Sequence, residues 1–291
     1  MKTLAKCRPL EKAAHGFFLD EMKVFTTPSG PPDRQFAGWS GCIMSPKEHG
    51  WLQHDFEAIK SDFFHPRVAE PIVFHRVDIN ARKGPFKALR SAIAFRGFCD
   101  RVFEALAKAE FQVTGVVTPG WRYLDKSNWV LLAKADCLPF VVTDYCQWLT
   151  ERLASGSVPI EASNRADDDF LKAKLYDLYH CGWPGVQPAS LYSATLSRGF
   201  GRFHGKEQNV AGLQLADLLA APIAKVIIRS YGSRLFGTPI PHSELVRLGV
   251  FLQNRSILDE GLETFVTSHL LPDRTRDDRQ HLLYNAWRFL T

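Results

Sequence analysis

The sequence predicts an α/β fold, a mixed sheet with helices packed on it. Two strand-like stretches, "HGFFLDE" (15–21) and "RQFAGWSGCIMS" (34–45), stand near the start with the turn-rich "TTPSGPPD" between them. Strand-like and helix-like periodicities then alternate through the middle of the chain. A long apolar helix, "GLQLADLLAAPIAKVII" (212–228), closes the alternation.

Each element follows from its pattern. The first two stretches read as a hairpin with a long connection. "EHGWLQHDFEAIKSDFF" (48–64) has helical spacing, and "EPIVFHRVDI" (70–79) reads as a third strand. From Phe86 to Ala109 an amphipathic helix is expected, with Phe86, Leu89, Ile93, Phe98, Val102 and Leu106 on or near one face. "FQVTGVVT" (111–118) is strand-like, and Trp129 to Leu153 is helical with a kink expected at Pro139. "SVPIEAS" (157–163) is a strand, Asp167 to His180 a helix capped by "NRADDD", and "ASLYSATL" (189–196) a last strand. The tail from Ser243 reads as helical.

Composition sets outer bounds. At 291 residues and 45% hydrophobic content the chain can bury a substantial core. The 36 basic residues nearly match the 31 acidic ones, so the net charge of +5 permits a polyanionic partner without requiring one. Cys7, Cys42, Cys99, Cys137, Cys146 and Cys181 lie far apart, in no zinc or disulfide pattern, and read as reduced thiols of a cytoplasmic protein. The N-terminus lacks the apolar core of a signal peptide. Asp217 and Lys225 interrupt the longest apolar run, so no membrane span is expected.

Three carboxylates stand where apolar sequence should continue: Asp20 at the end of the first strand, Glu161 at the end of a later one, and Asp217 within the closing helix. An unpaired buried carboxylate costs several kcal/mol or gives up its charge. Strand-end acids point into the crevice where α/β folds place ligands. Brought together, three such groups repel unless they share protons or hold a divalent cation, and oxygen-only ligands suit Mg²⁺ or Mn²⁺. Two ions between them would make a phosphoryl-transfer site. Blander readings stand beside this one. In these, Asp20 is a turn or cap residue, Glu161 pairs with Arg165, and Asp217 bonds a backbone amide or Lys225.

"FFLDE", "PIEASNRADDDFL" and "KEQNVAGLQLADLLA", in this order, resemble the family called domain of unknown function 3800. The likeness spans about residues 15 to 230. It implies a ribonuclease H-like fold over 1–232, with 233–291 as a helical C-terminal extension packed on the same domain. It also implies metal-dependent phosphodiester chemistry. Asp20 and Glu21 match the first acidic pair, and Glu161 the strand-end acid, with Arg165 and Asp168 or Asp169 after it. Gln214 and Asp217 match the closing helix. Met22 and Lys23 stand where the family commonly has Ser-Gly. The resemblance thus assigns metal ligation and catalysis to Asp20, Glu161 and Asp217, with Glu21 and Asp168 as further ligands. Gln214 and Arg165 support them from behind.

"SRGFGRFHGKEQN" (197–209) reads as a basic loop, with Arg198, Arg202, His204 and Lys206 for phosphates and its Phe residues for stacking, or else as a solvated connection. His75 and Arg76 could line the same site. The expected function is a Mg²⁺- or Mn²⁺-dependent nuclease acting on nucleic acid. The alternatives are a catalytically silent nucleic-acid- or protein-binding module with the same fold, within a multi-protein system, and an enzyme acting on a small phosphorylated molecule.

Overall fold

The computed structural model describes residues 14–25, 35–64, 71–123, 127–235 and 257–269. Among the described residues its centre is a mixed sheet of five strands: β1 (Ala14–Phe25), β2 (Gln35–Met44), β3 (Gln112–Pro119), β4 (Ser155–Glu161) and β5 (Leu196–His204), in the spatial order β3-β2-β1-β4-β5. β2 runs antiparallel to β1 and β3, whereas β4 is parallel to β1 and β5 parallel to β4. The connection 26–34, the remainder of the tail and Cys7 lie outside the described residues.

Alternation along the strands builds two layers. Phe18 and Met22 of β1, with Phe36, Cys42 and Met44 of β2, face one cluster under α1 (Pro46–Phe63), α3 (Ala92–Lys108), α7 (Ala211–Leu235) and α8 (Ile257–His269). Phe17 and Leu19 of β1, Trp39 and Ile43 of β2, and Val158 and Ile160 of β4 face the other. That face is covered by α4 (Trp129–Glu151), α5 (Arg165–Cys181) and α6 (Ala189–Thr195). α4 runs on across Pro139. Leu258, Leu262 and Val266 of α8 join the first cluster. Cys42, Cys99, Cys137 and Cys146 are buried free thiols and Cys181 an exposed one. Among the described residues no helix is long and apolar enough to cross a membrane.

α7 lies unusually close to the sheet. A Cβ at Gly212 would stand 2.3 Å from the Phe18 ring, so only glycine lets the helix dock there. Ser40 Oγ, facing the carbonyls of Asp20 (3.3 Å) and Ala216 (3.2 Å), and Cys42 Sγ, donating to the Gly212 carbonyl (3.3 Å), tie the helix to the strands.

Four expectations are corrected. The strand expected over 70–79 is an extended run at 71–75 followed by a short helix, α2 (Arg76–Ala81). Its amides are satisfied by α7: Phe74 N–H donates to Gln214 Oε1 (2.8 Å) and Arg76 N–H to Asp217 Oδ2 (2.7 Å). With these donors used, that part of the segment has no need of a strand partner. The strand expected over 189–196 is α6, whose buried Tyr192 and Thr195 are three apart, with Thr195 Oγ1 bonded back to the Leu191 carbonyl (2.7 Å). The basic loop at 197–209 is instead mostly strand β5, ending in a 3₁₀ turn, Lys206–Gln208. Asp20, finally, lies inside β1, which continues to Phe25.

Candidate active site

The register of β1 and β4 brings the first two acids together. Leu19 pairs with Ile160, and both point into the α4 layer. Asp20 and Glu161, one residue further along each parallel strand, therefore turn to the opposite face, where α7 presents Asp217. The three acids line a cavity of about 210 Å³ together with His75 and Lys206.

Each carboxylate has at least one oxygen engaged by the chain. Asp20 Oδ1 accepts the Glu21 amide (2.8 Å), Asp217 Oδ2 accepts the Arg76 amide, and Glu161 Oε1 pairs with Lys206 Nζ (3.0 Å). The blander reading of Asp217 as an acceptor for a backbone amide thus holds alongside its place in the cavity. His75 Nε2 lies 3.4 Å from Asp217 Oδ1, while Nδ1 meets Asp78 Oδ2 at 2.9 Å.

The electrostatics are those of a crowded acidic site. Asp20 is 4% exposed, and burial pushes its carboxyl well above the ordinary range. The charges of Asp217 and Glu161 push it further, against the pull of the Glu21 amide. Burial also raises Glu161; Lys206 opposes that rise and Asp217 adds to it. Burial pulls the Lys206 ammonium down, but its bond to Glu161 and the charges of Glu161, Asp217 and Asp20 leave it raised.

The other expected ligands do not join. Side chains alternate along a strand, so Glu21 faces α4, where its carboxylate pairs with Lys134 Nζ (2.8 Å), although the residue borders the cavity rim. Asp168 accepts from Ser163 N–H (3.1 Å) and Oγ (3.2 Å), and Asn164 caps α5 through the Asp167 amide; these acids serve the helix start. Arg165 points to solvent beside Asp169 (3.8 Å), not toward Glu161. Gln214 is occupied by Phe74 and by Asn209, so it holds the His75 segment in place and steadies no ligand directly. Lys225 turns to α8, away from Asp217.

Of the basic residues, Lys206 reaches the cavity, His204 Nδ1 meets Gln208 Oε1, and Arg202 sits on β5 opposite Pro159. The Arg198 side chain lies outside the described residues. Sequence reasoning missed Ser40, whose signal is the small-residue spacing Gly38, Ser40, Cys42 on the strand face that meets α7. It also missed Lys134, a buried lysine inside a largely apolar helix.

Oxygen-only donors from three elements, one of them a buried carboxyl raised by its acidic neighbours, are the chemistry a divalent cation satisfies, so in type these residues fit Mg²⁺ or Mn²⁺. As placed, with Lys206 on Glu161, no three Asp, Glu, His or Cys among the described residues stand in ligating geometry. No protein-family model, curated protein or solved structure matches the chain, so the resemblance to the domain of unknown function 3800 rests on its three quoted stretches.

Proposed function

We propose that the chain is a divalent-metal-dependent phosphodiester hydrolase acting on nucleic acid, and that its sheet and helices form a ribonuclease H-like core. One observation carries this reading: Asp20, Glu161 and Asp217, from two adjacent parallel strands and a helix, line one cavity and burden one another electrostatically. A pair of carboxyls, Asp20 and Glu161, raised first by burial and then by their acidic neighbours is kept at a cost to stability, which is the pattern of functional sites. Asp20, Glu161 and Asp217 would hold Mg²⁺ or Mn²⁺, which when bound supplies an activated water and neutralises charge developing on the phosphate. The chain itself orients the donors: the Glu21 and Arg76 amides fix Asp20 and Asp217, and Gln214 fixes the segment that carries Arg76.

A second reading, a binding module that keeps the fold without cleavage, is favoured by the Lys206–Glu161 pair, which occupies a donor. The deciding experiment incubates wild type and Glu161→Gln with single- and double-stranded DNA and RNA, with Mn²⁺ or chelator. Cleavage by wild type in Mn²⁺, lowered roughly a hundredfold or more in the variant, is expected. Binding of an oligonucleotide with no cleavage under any condition would select the second reading.

A further inference from the structure

We propose that Lys206 is a displaceable latch: its ammonium holds Glu161 until a phosphodiester draws it away, so that divalent cation and nucleic acid bind the cavity cooperatively. The inference rests on the metal-dependent reading and names how that site is regulated.

The geometry separates a fixed base from a movable head. The backbone of Lys206 is locked in its turn, where Gln208 N–H donates to the Gly205 carbonyl and Asn209 N–H to the Lys206 carbonyl, each at 3.0 Å. Asn209 closes that turn in the left-handed region (φ 53°), and its side-chain oxygen is gripped by Lys60 Nζ (2.6 Å) and Gln214 Nε2 (3.0 Å). The Lys206 side chain, by contrast, is 52% exposed, while Glu161 beneath it is 17% exposed. The ammonium therefore lies between solvent and a donor of the site. It lines the same cavity as all three acids.

A lysine is suited to this task. It is a compact point charge on a flexible stem and binds phosphate as readily as carboxylate. A phosphodiester entering the cavity would offer the ammonium a second anion and release Glu161. Charge balance works in the same direction: a metal ion beside an ammonium is repelled, and moving the ammonium onto phosphate removes that repulsion. Coupling is reciprocal, so the cation must also tighten nucleic-acid binding by the same factor.

The test is equilibrium binding of Mn²⁺, followed by the resonance of the free ion. It compares wild type, Lys206→Met and Lys206→Arg, each alone and with a phosphorothioate oligonucleotide of about ten nucleotides. Lys206→Met keeps the length of the stem and removes the charge; Lys206→Arg keeps the charge and controls for damage to the turn. Lys206→Met should bind Mn²⁺ about tenfold more tightly than wild type in the absence of oligonucleotide, and Lys206→Arg no more tightly. The oligonucleotide should tighten Mn²⁺ binding to wild type by a similar factor and leave Lys206→Met unchanged. Equal Mn²⁺ affinities in wild type and Lys206→Met would overturn the latch while leaving the metal site standing. Absence of Mn²⁺ binding by every protein, with or without oligonucleotide, would overturn both the latch and the metal-dependent reading.

Discussion

Helix α7 carries two ionic clusters about two turns apart, and they are built on opposite principles. Toward α8, Lys225 Nζ lies 4.0 Å from Asp259 and 3.7 Å from Glu263, with all three side chains buried. The Arg76 guanidinium (3.2 Å) and Asn80 also meet Asp259. Toward the sheet end, Asp217 shares a cavity with Asp20 and Glu161, and the ammonium paired with Glu161 belongs to a half-exposed lysine. Arg76 touches both, its amide on Asp217 and its side chain on Asp259. The first cluster brings a buried ammonium and a largely covered guanidinium to its acids, as a structural network must. The second leaves much of its negative charge for something from outside to neutralise. Buried acid on a helix is thus no sign of function until its counter-charge has been located.

That contrast can be broken most forcefully at Lys225. Replacing it with Met leaves Asp259 and Glu263 without their buried ammonium, and a loss of about 3–5 kcal/mol is expected in urea unfolding. A loss below about 1 kcal/mol would mean that the α7–α8 cluster is no better balanced from within than the cavity, and the contrast would fail.

The opposite sign is expected at Asp20. Its folded-state carboxyl lies above the ordinary 3.8, so the native state favours the proton. The stability this contributes is complete below that ordinary value and is lost as pH rises through the folded one. In chelator, wild type should therefore lose stability as pH rises from about 4 through that raised value. Asp20→Asn retains an acceptor for the Glu21 amide and should melt about 2–4 °C higher than wild type at neutral pH. Added Mn²⁺ should stabilise wild type by mass action and the variant much less. A variant that melts lower than wild type in chelator would show Asp20 to be a structural acceptor, with its charge already compensated.

The smallest effect sharpens the boundary of the cavity. If β5 carries nucleic-acid backbone past Glu161, Arg202→Ala should weaken oligonucleotide binding and reduce the slope of log affinity against log salt by about one unit. An unchanged slope would confine phosphate contact to the cavity itself.

Much of this arrangement was legible in the chain. Asp217 stood out because an apolar helix has no use for an unpaired charge, and Glu161 because a strand of buried residues ended on it. The pairing of β1 with β2 followed from two strand-like runs on either side of a turn-rich connection. The segments 71–81 and 189–204 were misread for a common reason. "EPIVFH" has the composition of a strand, but Gln214 and Asp217 take amides that a neighbouring strand would have used. "SRGFGRFH" has the glycines of a loop, yet β4 offered it a parallel edge. The family resemblance placed Glu21 and Asp168 at the site, but the next side chain along a strand turns to the other face, and an acid at a helix start is engaged there.

The sequence by itself determined which residues were chemically out of place, because burial periodicity is local and a charge that violates it is visible without a partner. Only the tertiary structure decided which of those charges meet. That depended on the parallel register of β1 with β4, on the close approach that Gly212 allows α7, and on the turn that carries Lys206 back over Glu161. Pairing between elements is set by competition among distant donors, acceptors and apolar faces, and no local pattern records its outcome.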